Sequence, residues 1–440
     1  MPNTYSPIKI NTAEILQTLI RFDTSNPPGN ERPCIEYING LLKEGGIETT
    51  LVARTPERPN ILARLKGEGK APPLLLYGHV DVVTTEGQKW QQDPFSANIA
   101  DGFLWGRGAL DMKSGVAMLL AAFLQAKVEQ TTLPGDVIFC AVSDEEAGGD
   151  YGSRFLVNEH ADLFRGIKYA IGEFGGFNMS MAGKRMYPIM VAEKQCCWMK
   201  VTLRGRGGHG AMPVHHQAMA KLGRLLTRLD QKEFPYHLTP AVSMMLNSIA
   251  DAMGGITGLA IRALTSPLLA GAIIKALGER GNLFAPLLHN TISPTILKAS
   301  EKINVIPSEV SAGLDGRLLP GFSLKEMEKE MHNMLGADFE MEVLEHDPGP
   351  TSPDMGLFDT LGAILKDFDP EGIPVPFVLS AVTDARFFSK LGIQTYGFTP
   401  LQLPDDFSFV NTIHAADERV PVAALDFGTK AVYSVLQKFH

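Results

Sequence analysis

Three short apolar runs each end at acidic or imidazole side chains. Residues 73–77 (PLLLY) end at Gly78-His79-Val80-Asp81, residues 136–143 (DVIFCAVS) at Asp144-Glu145-Glu146, and residues 168–171 at Gly172-Glu173. An uninterrupted apolar segment of this length has no wet face, as expected of a strand covered on both sides. Helical patterns lie between the runs, over 114–128 (SGVAMLLAAFLQAKV) and 153–164. Strand and helix in alternation specify an α/β fold, a mostly parallel sheet with helices on both faces. Open sheets of this kind bind ligands beyond the carboxyl ends of their strands, where these polar residues sit.

Two further helices precede the first run. Residues 10–22 place Ile15, Leu16, Leu19 and Ile20 on one face, with Asn11 and Glu14 as a cap pair. Residues 33–44 form the other. Near residue 188 the pattern changes. Residues 197–204 (CWMKVTLR) alternate apolar and polar, the mark of an antiparallel strand with one solvated face. A helix over 216–229, strands near 309–315 and 338–344 and a helix over 323–334 complete a smaller α+β unit. Pro348-Gly349-Pro350 closes it, and a helix at 356–367 resumes the α/β character. The expected organisation is a discontinuous catalytic domain, 1–187 and 349–440, interrupted by a lid or dimerisation domain, 188–348.

Charge and composition narrow the function. The formal net charge of −9 and a pI near 5.7 argue against nucleic acid as a partner. Four cysteines in 440 residues make no disulfide framework, so reduced, buried thiols are expected. The first twenty residues carry no signal-peptide pattern, which points to the cytoplasm. The apolar stretch 252–287 is interrupted by Arg262, Pro267 and Lys275, too soon for a membrane span. It reads as two helices broken near Ser266-Pro267, offering an apolar interface to a partner subunit or a greasy substrate.

The strand ends collect His79, Asp81, Glu145, Glu146 and Glu173. Asp111 lies in a loop just before the helix at 114, and His414 lies in IHAADER. Imidazole with several carboxylates is a donor set for zinc, cobalt or manganese. Asp81 is two residues from His79 and could accept its second N–H. Of an adjacent glutamate pair, one can bind metal while the other serves as general base. Singly, GHVDVV could be an ordinary strand end and Glu145-Glu146 a solvated loop.

Together with TSNPPGNE at 24, GRGALDMKSG at 106, GEFGG at 172, GRGGHGAMP at 205, NVIPSE at 304 and HAADERV at 414, these runs resemble the aminoacylase, carboxypeptidase G and succinyl-diaminopimelate desuccinylase family of dinuclear zinc amidohydrolases. The resemblance implies two divalent ions, zinc above cobalt or manganese. His79 and Glu173 would hold one and Glu146 and His414 the other, with Asp111 bridging. It implies that Asp81 orients His79, that the Asp111-Met112 bond is cis, and that Glu145 is the general base. A metal-bridging hydroxide would attack an amide carbonyl of a peptide or N-acyl amino acid, and Glu145 would pass the proton to the leaving amine.

Gly205-x-Gly207-x-x-Gly210 also matches a dinucleotide fingerprint. The preceding strand alternates, however, and Pro213 and His215-His216 delay the helix, so the pyrophosphate would lack a helix N-terminus. The resemblance instead makes His209 a donor to the oxyanion from the inserted domain, usually that of a partner subunit, which implies a homodimer through that domain. It has Asn304 help position the substrate. Arg317 and Arg386 are two candidates for a carboxylate clamp. The chain departs from the family at Ala381-Val382, where glycines are usual, and in a longer inserted domain whose excess falls near 248–300. Residues 290–321 resemble the carboxypeptidase S-like and N-acyl-amino-acid hydrolase branch. A desuccinylase, a dipeptidase and a non-catalytic binding module are the competing readings.

Overall fold

A computed structural model describes residues 10–212, 215–336 and 338–440. The chain divides into two compact units. The first comprises residues up to Val191, Asp354–Phe377 and Thr383–His440; the second comprises Ala192–Pro353 with Val378–Val382.

In the first unit, Val137–Val142, Leu74–His79, Tyr169–Gly172 and Gln394–Gly397 lie side by side as parallel strands. Thr49–Ala53 and Pro59–Leu65 extend one side and Lys184–Glu193 the other, all antiparallel to their neighbours. The continuous apolar runs are explained by burial on both faces. Leu74 and Leu76 join a core with Val116, Leu119 and Leu120 of helix Lys113–Val128. Leu75 and Tyr77 point the other way, into a core with Phe155, Leu156 and Phe388. The Tyr77 and Phe388 rings are 4.8 Å apart. Helix Lys113–Val128 is buried almost all round, between the sheet and helices Thr12–Arg21 and Val422–Lys438. Asn11 caps Thr12–Arg21, its side chain accepting from Ala13 and Glu14 and donating to the Glu14 carboxylate at 2.9 Å.

In the second unit, Thr291–Lys298, Glu309–Leu318, Gln195–Arg204 and Glu340–His346 form an antiparallel sheet in that order. The alternation of 197–204 is realised. Cys197, Met199, Val201 and Leu203 pack with Leu222 and Leu225 of helix Ala218–Gln231 and Met327 and Met331 of helix Leu324–Leu335. Ser323 and Glu326 make a reciprocal capping box. All four cysteines are free and buried.

The apolar stretch is more broken than the sequence pattern suggests. Besides the expected interruption at Ser266-Pro267, Gly254 turns the chain with φ of 63°, leaving helices Pro240–Met253, Gly255–Ala263 and Ala270–Leu277. Ile256, Leu259 and Leu268 stand exposed there. Among the described residues, no helix is long and apolar enough to cross a membrane.

Candidate metal centre

The centre is built from strand ends and the loops that face them in the first unit. His79 is the last residue of its strand and is buried. Its Nε2 lies 3.1 Å from Asp111 Oδ1 and 3.9 Å from Glu173 Oε2. The other oxygen of Asp111, Oδ2, lies 3.1 Å from His414 Nε2, which is 3.4 Å from Glu146 Oε1. Asp111 therefore stands between the two imidazoles, one oxygen toward each. The Asp111-Met112 peptide bond is cis.

Asp81 touches more than the imidazole. The nearest acceptor to His79 Nδ1 is the backbone carbonyl of Asp81 at 3.0 Å, with the carboxylate at 3.5 Å. That carboxylate accepts the backbone N–H groups of Glu145 and Glu146, each at 3.1 Å, and the side-chain amide of Asn26 at 2.8 Å. The same amide donates to Asp144, whose left-handed backbone (φ 70°) starts the tight turn Glu145–Ala147. Asn26 belongs to the TSNPPGNE segment, so this is what that segment does: it ties the second strand end to the first.

Donor atoms of His79, Glu145 and Glu173 lie within 4.8 Å of one another, as do those of His79, Asp111 and Glu146. Burial pushes the Glu145 and Glu173 carboxyls well above their usual range, and neighbouring carboxylates add to the shift. Asp111 goes the other way: His414 and His79 overcome its burial and hold it far below the ordinary carboxylate range. Asp111 and Glu146 push His414 up to about 10. Glu146 Oε1 and Glu173 Oε2 are buried without a hydrogen-bond partner among the described residues. Four carboxylates and two imidazoles this close need positive charge, and orphaned acceptor oxygens beside nitrogen donors are what divalent cations fill. The residues present thus fit a two-metal site.

The remaining candidates are each placed within their own unit. Arg386 is buried in the short helix Ala385–Ser389 of the first unit, its guanidinium 4.6 Å from the Phe387 ring centre. Its charge acts on Asp384, whose carboxyl burial pushes up to about 6. Arg317, in the second unit, already spends two N–H groups on Asp315, at 2.8 and 3.1 Å. His209 and Asn304 are brought together within the second unit, where Gly208–His209 pairs with Val305–Ile306 and the Gly210 N–H donates to the Asn304 carbonyl at 2.8 Å. His209 is exposed, and its Nδ1 accepts the Ala211 N–H at 3.1 Å.

Sequence reasoning missed Asn26, Asp144, Asp384 and Glu418. Asp384 accepts from Ser153 at 2.8 Å and raises the Glu145 and Glu173 carboxyls by its charge. Glu418 lies four residues past His414 in the same HAADE string, which was the available signal.

The profile of peptidase family M20/M25/M40 matches residues 75–438. The chain is 29% identical over 379 residues to the N-fatty-acyl-amino acid synthase/hydrolase PM20D1 of Homo sapiens, covering 83% of this chain and 74% of that one. It is 24% identical over 399 residues to aminoacylase-1 of Sus scrofa, covering 88% and 86%. Its fold resembles that of an M20 family metallo-carboxypeptidase from Sulfolobus solfataricus, with a TM-score of 0.70 at 17% identity, covering 97% and 98%.

Proposed function

Because the chain belongs to peptidase family M20/M25/M40, a family of metal-dependent amide hydrolases, we propose that it releases a free amino acid from an N-acyl amino acid. The observation that carries this reading is Asp111, one oxygen 3.1 Å from His79 and the other 3.1 Å from His414, with the orphaned oxygens of Glu146 and Glu173 alongside. Similarity to a protein named as an N-fatty-acyl-amino acid synthase/hydrolase and to one named aminoacylase-1 supports the substrate class.

His79, Glu173 and Asp111 would hold one divalent ion, and Glu146, His414 and Asp111 the other; zinc suits this donor set, with cobalt and manganese as alternatives. Bound there, the ions would polarise the amide carbonyl and acidify water. Glu145 takes the proton of the attacking water and delivers it to the leaving amine. Its backbone is fixed by Asp81, and its carboxyl lies among the donor atoms without being needed as a ligand. His209 serves as the oxyanion donor. The Ala211 N–H occupies Nδ1, so in the neutral ring the proton sits on Nε2, the form that donates. Asn304 is assigned to substrate positioning beside it. Arg317 and Arg386 are the two candidates for a carboxylate clamp, the first of them paired with Asp315 through two of its N–H groups.

The working form is assigned as a homodimer through the inserted domain, in the cytoplasm. The exposed edge strand Thr291–Lys298, with Ile296 and Leu297 uncovered, supports the first, and four free thiols support the second. A panel of N-acyl amino acids and dipeptides, with zinc, cobalt and manganese supplied in turn, tests the activity. Faster amino-acid release from the acylated substrates is expected. Inertness toward the whole panel with every metal would overturn the proposal.

A further inference from the structure

Glu418 is fully buried, and its carboxylate collects four N–H groups. Oε1 accepts from the backbones of Leu110, at 2.7 Å, and Asp111, at 3.1 Å. Oε2 accepts from the backbone of Gly108, at 3.1 Å, and from Arg107 Nη1, at 2.5 Å. The loop that carries Asp111 is therefore wrapped around one carboxylate. Arg107 then reaches the other side of the centre: its Nη2 donates to Gln88 Oε1 at 2.8 Å and to the His414 backbone carbonyl at 3.3 Å. Gln88 Nε2 donates to that same carbonyl at 2.8 Å. His414 has a left-handed backbone (φ 59°), a conformation that a β-carbon disfavours and that surrounding bonds must hold.

We infer that Glu418, acting through Arg107 and Gln88, is a positioning residue that sets Asp111 and His414 against each other, and so tunes the ion held by Glu146 and His414 more than the ion held by His79 and Glu173. The inference rests on the metal reading above. The physical reason is that both members of the Asp111–His414 pair hang on this one buried carboxylate, whereas His79 ends a sheet strand and is fixed by its own ladder. An amide at 418 presents one oxygen and one NH2, so part of the N–H set would face another donor and the loop would shift.

The test uses the full chain, metal-free, titrated with zinc against a chromophoric chelator. Wild type is expected to take two equivalents, and His414→Ala marks the one that depends on His414. In Glu418→Gln that equivalent should weaken by about 10–100-fold, the usual range for loss of a group supporting a ligand, with the other little changed. Gln88→Ala removes only a half-buried side chain, leaves the bonds to the Glu418 carboxylate in place, and should weaken the same equivalent. Melting curves and circular dichroism confirm the fold of each. Equal weakening of both equivalents, or wild-type affinity in both variants, overturns the inference while leaving the metal reading intact. A wild-type chain that takes no zinc, or that keeps both equivalents in His414→Ala, removes the reading and the inference with it.

Discussion

His414 and Asp111 face each other across 3.1 Å, Nε2 to Oδ2. In the metal-free chain Asp111 and Glu146 raise His414 from its ordinary 6.5 to about 10, so near neutrality it carries a proton that a cation must displace. Zinc uptake at pH 7.5 should therefore release protons, read as a heat that varies with buffer ionisation enthalpy. A buffer-independent heat would contradict this. The raised value also has a stability sign. The pair stabilises the metal-free fold fully below about pH 6.5, and the contribution is lost as pH rises through about 10. His414→Ala should accordingly melt below wild type at pH 6, and the gap should narrow by pH 10.5.

Glu145 and Glu146 are adjacent but differently placed, and the proposed function gives them different work. Asp81 receives the N–H of both, and only the Glu146 carboxylate lies against His414. Glu145→Gln should lower turnover by about 10²–10⁴, the usual worth of a proton-transfer group, with both metal equivalents present. Asp111→Ala should lose metal and turnover together. Wild-type turnover in Glu145→Gln, with metal content verified, would end the base assignment.

His209 donates nothing to the metal donor set in this reading, so its loss should be purely kinetic. His209→Ala should reduce turnover by about 10²–10³ with metal content and melting temperature unchanged. A change confined to KM would reassign it to ground-state binding.

The strand ends were legible because their chemistry is local. A strand buried on both faces reads as an apolar run, and His79 at the last position of its strand, with Glu145 and Glu173 just past theirs, falls at the run's end in sequence as in space. What was not legible is pairing over distance. Glu418 looks like one acid in a polar string until its carboxylate is found under Leu110 and Asp111. Asn26 looks like a turn residue until its amide is found between Asp81 and Asp144. The flanking strands Thr49–Ala53 and Lys184–Glu193 escaped notice for a similar reason. The first is mostly exposed at an edge, and the second contains Pro188, a residue that argues against a strand. The helix over 153–164 is in fact Ser153–Glu159 and a separate short turn, because the chain leaves helical geometry at His160.

Gly397 carries a last expectation of this long-range kind. GEFGG is visible in sequence, but the need for its glycines comes from the neighbouring strand. A β-carbon on Gly175 would lie 2.2 Å from the Gly397 carbonyl oxygen, and one on Gly397 would lie 2.2 Å from that of Phe174 and 2.5 Å from that of Glu173. All of these neighbours are backbone, so none can rotate away. The Phe398 and Thr399 N–H groups bond Gly172 and Gly175, each at 2.8 Å, which zips the two segments together. In Gly397→Ala the Glu173 loop must retreat, at a cost of about 1–3 kcal/mol, and Glu173 moves with it away from His79. The variant should melt lower and bind the His79–Glu173 ion more weakly, while the equivalent lost in His414→Ala is retained. Gly40→Ala serves as control, since a β-carbon there meets nothing within 4 Å in helix Arg32–Glu44 and should be neutral or slightly stabilising. Wild-type melting and two full equivalents in Gly397→Ala would show that the close approach does not set the position of Glu173.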